Sequence, residues 1–271
     1  MTLTLREPPP PAVGAVVNTA SLQPVISPGG IISIYGENLG PPVLSPEFNG
    51  EGLYPTTFGN TTVTINDTPA PLLYVSPSRI DVVAPYALAG QESARIVVSR
   101  YYEKSPIFEV PVSAASPALF TADSSGGGPG AILEYKYPNF IPNSVDNPAS
   151  PGSVITLFGT GAGILDETIP EAGICMIATP FRAQPASLTI GGLPAKVLYA
   201  GPAPYQTVGT DSIPGSGLAV SPGVNGPSYT TIAKFQINAV VPDGVPSGPQ
   251  PVVLTIGSAN NEQQRVTIAI K

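Results

Sequence analysis

Apolar residues in this chain fall in short runs that alternate with polar ones or cluster β-branched side chains, cut apart by Gly, Pro, Asn and Ser. Residues 31–35 (IISIY) and 154–158 (VITLF) have Pro-Gly before them and Gly after. Residues 63–65 (VTI) and 188–190 (LTI) alternate and run into turn residues. Residues 72–75 (LLYV) and 197–200 (VLYA) follow after a short turn, which predicts a hairpin in each place. Residues 94–99, 107–112, 251–256 and 265–270 predict further strands, and 15–18 and 131–134 predict leading strands. No stretch of ten residues holds an i, i+3, i+4 pattern free of Pro and Gly, so no helix is expected.

These runs recur in order. Residues 28–40 (PGGIISIYGENLG) align without a gap on 151–163 (PGSVITLFGTGAG). Residues 63–77 (VTINDTPAPLLYVSP) align on 188–202 (LTIGGLPAKVLYAGP), and 80–85 (IDVVAP) align on 237–242 (INAVVP). Three blocks in one order indicate a duplicated unit. The offset grows from 123 to 125 to 157 residues, and the last jump places an insertion of 32 residues in the second copy, at 203–234. About seven short strands per copy and almost no helix predict an all-β chain of two tandem immunoglobulin-like β-sandwiches. The expected division is an arm and Pro spacer at 1–12, a first domain at 13–116 and a second at 117–271. The Gly-rich run 123–130 reads as flexible.

Composition narrows the chemistry. The chain has 271 residues, of which 42% are hydrophobic and 11% charged, against about 25% charged in ordinary domains. It holds 29 Gly and 35 Pro, so its apolar material is enough for a core but comes in pieces. With no His, catalysis by a His base and His metal ligation are excluded; with one Cys, so are an internal disulfide and a multi-thiolate site. A net charge of −7 with 11 basic residues argues against nucleic acid. No apolar run is long enough to span a membrane, and the N-terminus lacks the form of a signal peptide. Low charge, no Trp and abundant Thr, Ser, Pro and Gly nevertheless read as extracellular or cell-surface. The expectation is a C-terminal part of a longer exported protein, or a start that lies upstream.

The ordered blocks VVNTAS, ISPGGIISIYGENLG, TPAPLLYVSPSRIDVVAPY, SPALFTAD, NPASPGSVITLFGTGAG, IGGLPAKVLYAGPAP and FQINAVVPDGVPSG together resemble the Solibacter-type C-terminal domain of bacterial exported proteins. Each half also resembles the IPT/TIG subgroup of immunoglobulin-like folds. The resemblance implies a module at the end of large surface proteins, and it implies no catalytic residues.

Cys175 has no Lys or Arg within five positions and the chain has no His, so it reads as a small buried thiol or a loop residue. No G-x-S-x-G elbow or S-x-x-K dyad exists. Asp166, Glu167 and Glu171, or Asn143, Asp146 and Asn147, read as solvated loop groups in place of a calcium site. No cofactor is expected. Four tyrosines outside the repeat, Tyr135, Tyr137, Tyr205 and Tyr229, are candidate partner contacts; Tyr135 and Tyr137 share a face if their segment is a strand. Thr2, Leu3, Thr4 and Leu5 alternate ahead of four prolines and read as a donor strand for a neighbour's sheet edge. The expected role is a non-catalytic structural module of the cell surface, a spacer or a filament or assembly subunit that associates with itself through sheet edges. The alternative is adhesion to a polysaccharide or protein through the loop tyrosines and the insertion.

Overall fold

β-Branched runs punctuated by Gly and Pro form short strands and little else. The computed structural model describes residues 9–42, 46, 54–137, 139–164, 175–176, 185–203, 230–231 and 234–271. Thr2, Leu3, Thr4, Leu5, Tyr205, Tyr229 and nearly all of the 203–234 insertion lie outside the described residues, as do Asp166, Glu167 and Glu171. Apart from two single-turn 3-10 helices, Tyr86–Leu88 and Glu262–Gln264, the described secondary structure is all strand.

In the N-terminal half the main strands are β1 (Ala12–Asn18), β2 (Ile31–Glu37), β3 (Thr61–Ile65), β4 (Leu72–Val75), β5 (Arg79–Val83), β6 (Ser93–Arg100) and β7 (Phe108–Pro111). One sheet runs β1-β2-β5-β4; the other runs β7-β6-β3 and ends on the short strand Thr57–Phe58. Val63 and Ile65 of β3 meet Ile32, Ile34, Ile80 and Val82 of the facing sheet in one core. Every second residue of β3 is buried, as a strand with one core face requires.

The C-terminal half contains β8 (Ala118–Leu119), β9 (Leu133–Lys136), β10 (Asn139–Pro142), β11 (Val154–Thr160), β12 (Ala186–Ile190), β13 (Leu193–Pro202), β14 (Lys234–Val240), β15 (Gly248–Ile256) and β16 (Val266–Ile270). The strands run in the order β16-β15-β12-β13-β14-β11-β9-β10. The ten-residue β13 joins the two layers: Leu193 and Ala195 pair with β12, and residues 196–202 pair with β14. Leu157, Phe235 and Ile237 on one layer pack against Leu188, Leu254 and Ile268 on the other.

Two expectations need correction. The predicted hairpins close earlier than 72–75. Ile65 pairs with Thr68 around Asn66 and Asp67, and Ile190 pairs with Leu193 around Gly191 and Gly192. All four turn residues have positive φ, as a two-residue type I′ turn requires. Pro71 then offers no N–H to continue the ladder, and β4 joins β5 in the opposite sheet. The second leading strand is also not 131–134. Its role is split: Ala118 pairs with Thr160 as Ala12 pairs with Glu37, and Glu134 pairs with Ile155 as Asn18 pairs with Ile32. Residues 120–132 loop out between the two pieces.

Candidate functional site

That loop is built into the contact between the halves. Phe120 and Ala131 join Ala118, Phe158 and Ala203 in a buried cluster with Ala20, Ile31, Leu73 and Val83 of the N-terminal half. The start of β2 thereby meets the end of β11, and the Ile31 N–H donates to Thr160 Oγ1 at 2.8 Å. Local sequence shapes each side. Asn18 Oδ1 accepts from the N–H groups of Ala20 and Ser21, its Nδ2 donates to Ser116 O, the last residue before the second half, at 3.0 Å, and the turn closes with Leu22 at φ 57°. A left-handed leucine is rare, so tertiary contacts must hold it.

Gln264, 6% exposed, ties three segments at this seam. Its Oε1 accepts from Leu119 N at 2.9 Å and from Asn261 Nδ2 at 3.2 Å. Its Nε2 donates to Ala20 O at 3.0 Å and to Leu119 O. Every lone pair and proton of a buried amide is thereby used, which is the condition for such a group to stabilise rather than cost. The Gly-rich run expected to be flexible is ordered for the same reason. Gly128 N and Gly130 N donate to Arg265 O and Thr267 O, and Gly128–Pro129 pairs in parallel with Val266 and Thr267. A Cβ on Gly126 would lie 2.6 Å from Ser21 O, so its glycine permits close approach rather than motion.

A second polar cluster lies on the outer face of β2 and β5. Asp81, fully buried, accepts from Ser33 Oγ at 2.7 Å, Arg79 Nε at 2.8 Å and Arg79 Nη2 at 2.7 Å. The Arg79 guanidinium stacks 5.5 Å from the Tyr74 ring and 6.0 Å from the Tyr35 ring. Burial pushes the Asp81 carboxyl above its ordinary value, against the pull of Arg79 and Ser33. In the C-terminal half burial lowers the Lys234 ammonium to about 8, and among the described residues no acid pairs with it.

Of the tyrosines singled out in the sequence, Tyr135 and Tyr137 are described. They do not share a strand: β9 ends at Lys136 and Tyr137 falls in the turn. Tyr135 instead meets Phe140 of β10, directly opposite, with ring centroids 5.2 Å apart. Cys175 lies in a two-residue strand paired with Thr230–Thr231. Among the described residues no group of three Cys, Asp or Glu side chains could hold a metal ion, and no helix is long and apolar enough to cross a membrane. Phe120, Gln264 and the Arg79–Asp81 pair were not anticipated. The last was visible in the repeat, since Arg79 and Asp81 align on Gln236 and Asn238.

The architecture is thus that of tandem immunoglobulin-like sandwiches, and an IPT/TIG domain is found at residues 18–108. No curated protein matches the chain. Among solved structures the chain is similar to the surface glycan-binding protein PbSGBP-B from Prevotella bryantii, at 13% identity and a TM-score of 0.26. That match covers 92% of this chain and 40% of the other, so the chain spans less than half the length of that protein.

Proposed function

We propose that this chain is a non-catalytic extracellular structural module in which two immunoglobulin-like units, 13–116 and 117–271, are welded into one rigid spacer of a surface assembly. The observation that carries the reading is the seam. A flexible linker between sandwiches leaves their facing ends solvated. Here residues 120–132 bury Phe120 between the halves, and Gln264 hydrogen-bonds to both sides of the junction. The low charge of the chain and the resemblance to C-terminal modules of exported proteins support a place outside the cell. Self-association through sheet edges belongs to the same reading.

Differential scanning calorimetry tests it. One welded unit unfolds in a single transition whose calorimetric and van't Hoff enthalpies agree. Two separated transitions in the parent chain would remove the basis for a rigid spacer.

A further inference from the structure

The hairpin of β9 and β10 is an addition the fold does not need. Between the equivalent pairs Asn18↔Ile32 and Glu134↔Ile155, the N-terminal half spends residues 19–31 and the C-terminal half spends 135–154, seven more. The additional chain extends the sheet and carries exposed aromatic rings. Tyr135 and Phe140 are 41% and 40% exposed, and Tyr137 at the tip is 87% exposed.

Three properties limit what can sit there. First, β10 is poorly suited to strand addition. Asn143 N donates to Ile132 O, which makes Leu133↔Pro142 a non-hydrogen-bonded pair and turns the main chain of residues 140 and 142 outward. Pro142 has no N–H, so one outward donor, that of Phe140, remains. Second, the patch is small. Three rings at these exposures present on the order of 400 Å², about half of the roughly 800 Å² that each partner buries in a stable protein interface. Third, the hairpin has no net charge. Lys136 Nζ lies 2.8 Å from the nearly buried Glu134 carboxylate and neutralises it.

We infer that Tyr135, Tyr137 and Phe140 form a stacking platform for a neutral polysaccharide built of pyranose rings. The C–H faces of a sugar ring match the electron-rich faces of aromatic rings. Its hydroxyls stay in water, since Lys136 and Asn139 lie on the other face of the hairpin with Glu134. The spacer reading neither requires this site nor depends on it, because the seam residues are elsewhere.

Native affinity electrophoresis tests the assignment. The parent chain is run in gels containing hydroxyethyl cellulose, xyloglucan, galactomannan, dextran or, as the anionic control, polygalacturonate. The expected result is retardation by at least one neutral polymer. Tyr137→Ala and Tyr135→Ala should each weaken it at least fivefold, Tyr137→Phe should keep it, and Tyr102→Ala, at a 99% exposed position in the other half, should not change it. Tyr137 is exposed enough that its truncation leaves the fold intact, which thermal melting verifies. Retardation by none of the neutral polymers, retardation by polygalacturonate alone, or equal retardation of Tyr137→Ala overturns the proposal. So does a dimer in sedimentation velocity that Tyr137→Ala abolishes, since the occupant would then be a second copy.

Discussion

Asp81 and Asn238 occupy one position of the repeat, and each is the acceptor at the centre of the same three-residue cluster. Asp81 receives Ser33 Oγ and the Arg79 guanidinium; Asn238 Oδ1 receives Thr156 Oγ1 at 3.1 Å and Gln236 Nε2 at 2.8 Å. Ser33 aligns on Thr156 and Arg79 on Gln236. One copy satisfies a buried acceptor with charge and the other satisfies a half-buried one with a hydroxyl and an amide, so the position demands hydrogen bonds rather than an ion pair.

The clusters should therefore be interchangeable as sets. The triple change Ser33→Thr, Arg79→Gln, Asp81→Asn is expected to leave stability within about 2 kcal/mol of the parent, because a buried pair can be replaced whole at little cost. Asp81→Ala alone should cost about 3 kcal/mol, at the low end for a broken buried pair because Arg79 keeps some access to water. Urea unfolding measures both.

The pH dependence of Asp81 has a definite sign. Its folded pKa lies above the ordinary 3.8, so the folded state binds this proton more tightly, and the stability it contributes is lost as pH rises through the folded value. Asp81→Asn cannot titrate. Its unfolding free energy relative to the parent should rise between about pH 3.5 and pH 7, and a difference that falls over this range would contradict the burial argument.

Lys234 gives the converse case. With its folded pKa near 8 against an ordinary 10.5, the buried ammonium costs stability at neutral pH, and that cost fades as pH rises from 8 toward 10.5. Lys234→Met should raise stability by about 2 kcal/mol at pH 7 and by less at pH 10, read from urea midpoints at the two values.

Gln264→Glu keeps the shape of the seam and removes the donor that faces Ala20 O and Leu119 O. Two carbonyls would then confront a carboxylate. A loss of at least about 2 kcal/mol is expected at pH 7, with partial recovery near pH 4 as the carboxyl takes a proton. Phe120→Ala, which empties the apolar side of the same seam, should cost about 3–5 kcal/mol.

The strands were legible because they depend on local pattern. The β-branched runs at 31–35 and 154–158 form β2 and β11, and the repeat alone marks them as equivalent. What was not legible was set by partners far away in sequence. Which sheet receives residues 72–75 depends on pairing with β5, and the split of the second leading strand depends on β11. The run 123–130 has the composition of a linker, yet its glycines are there to approach Ser21 O and Gln264 O. Gln264 lies 145 residues from Leu119, and no local signal marks a side chain that serves a seam. For the candidate site, the exposed tyrosines at 135 and 137 were readable as residues outside the repeat. Phe140, which completes the platform, is marked only by its register with Tyr135.

If the seam joins the two halves into one body, the distance between a point on each half is fixed. Spin labels at Tyr102→Cys and Val145→Cys, both highly exposed and one in each half, can be placed in a chain whose single native cysteine is replaced by Cys175→Ser. Pulsed dipolar spectroscopy should give one narrow distance distribution, and Phe120→Ala should broaden it. A broad or multimodal distribution in the parent chain would mean that the seam does not hold the halves together.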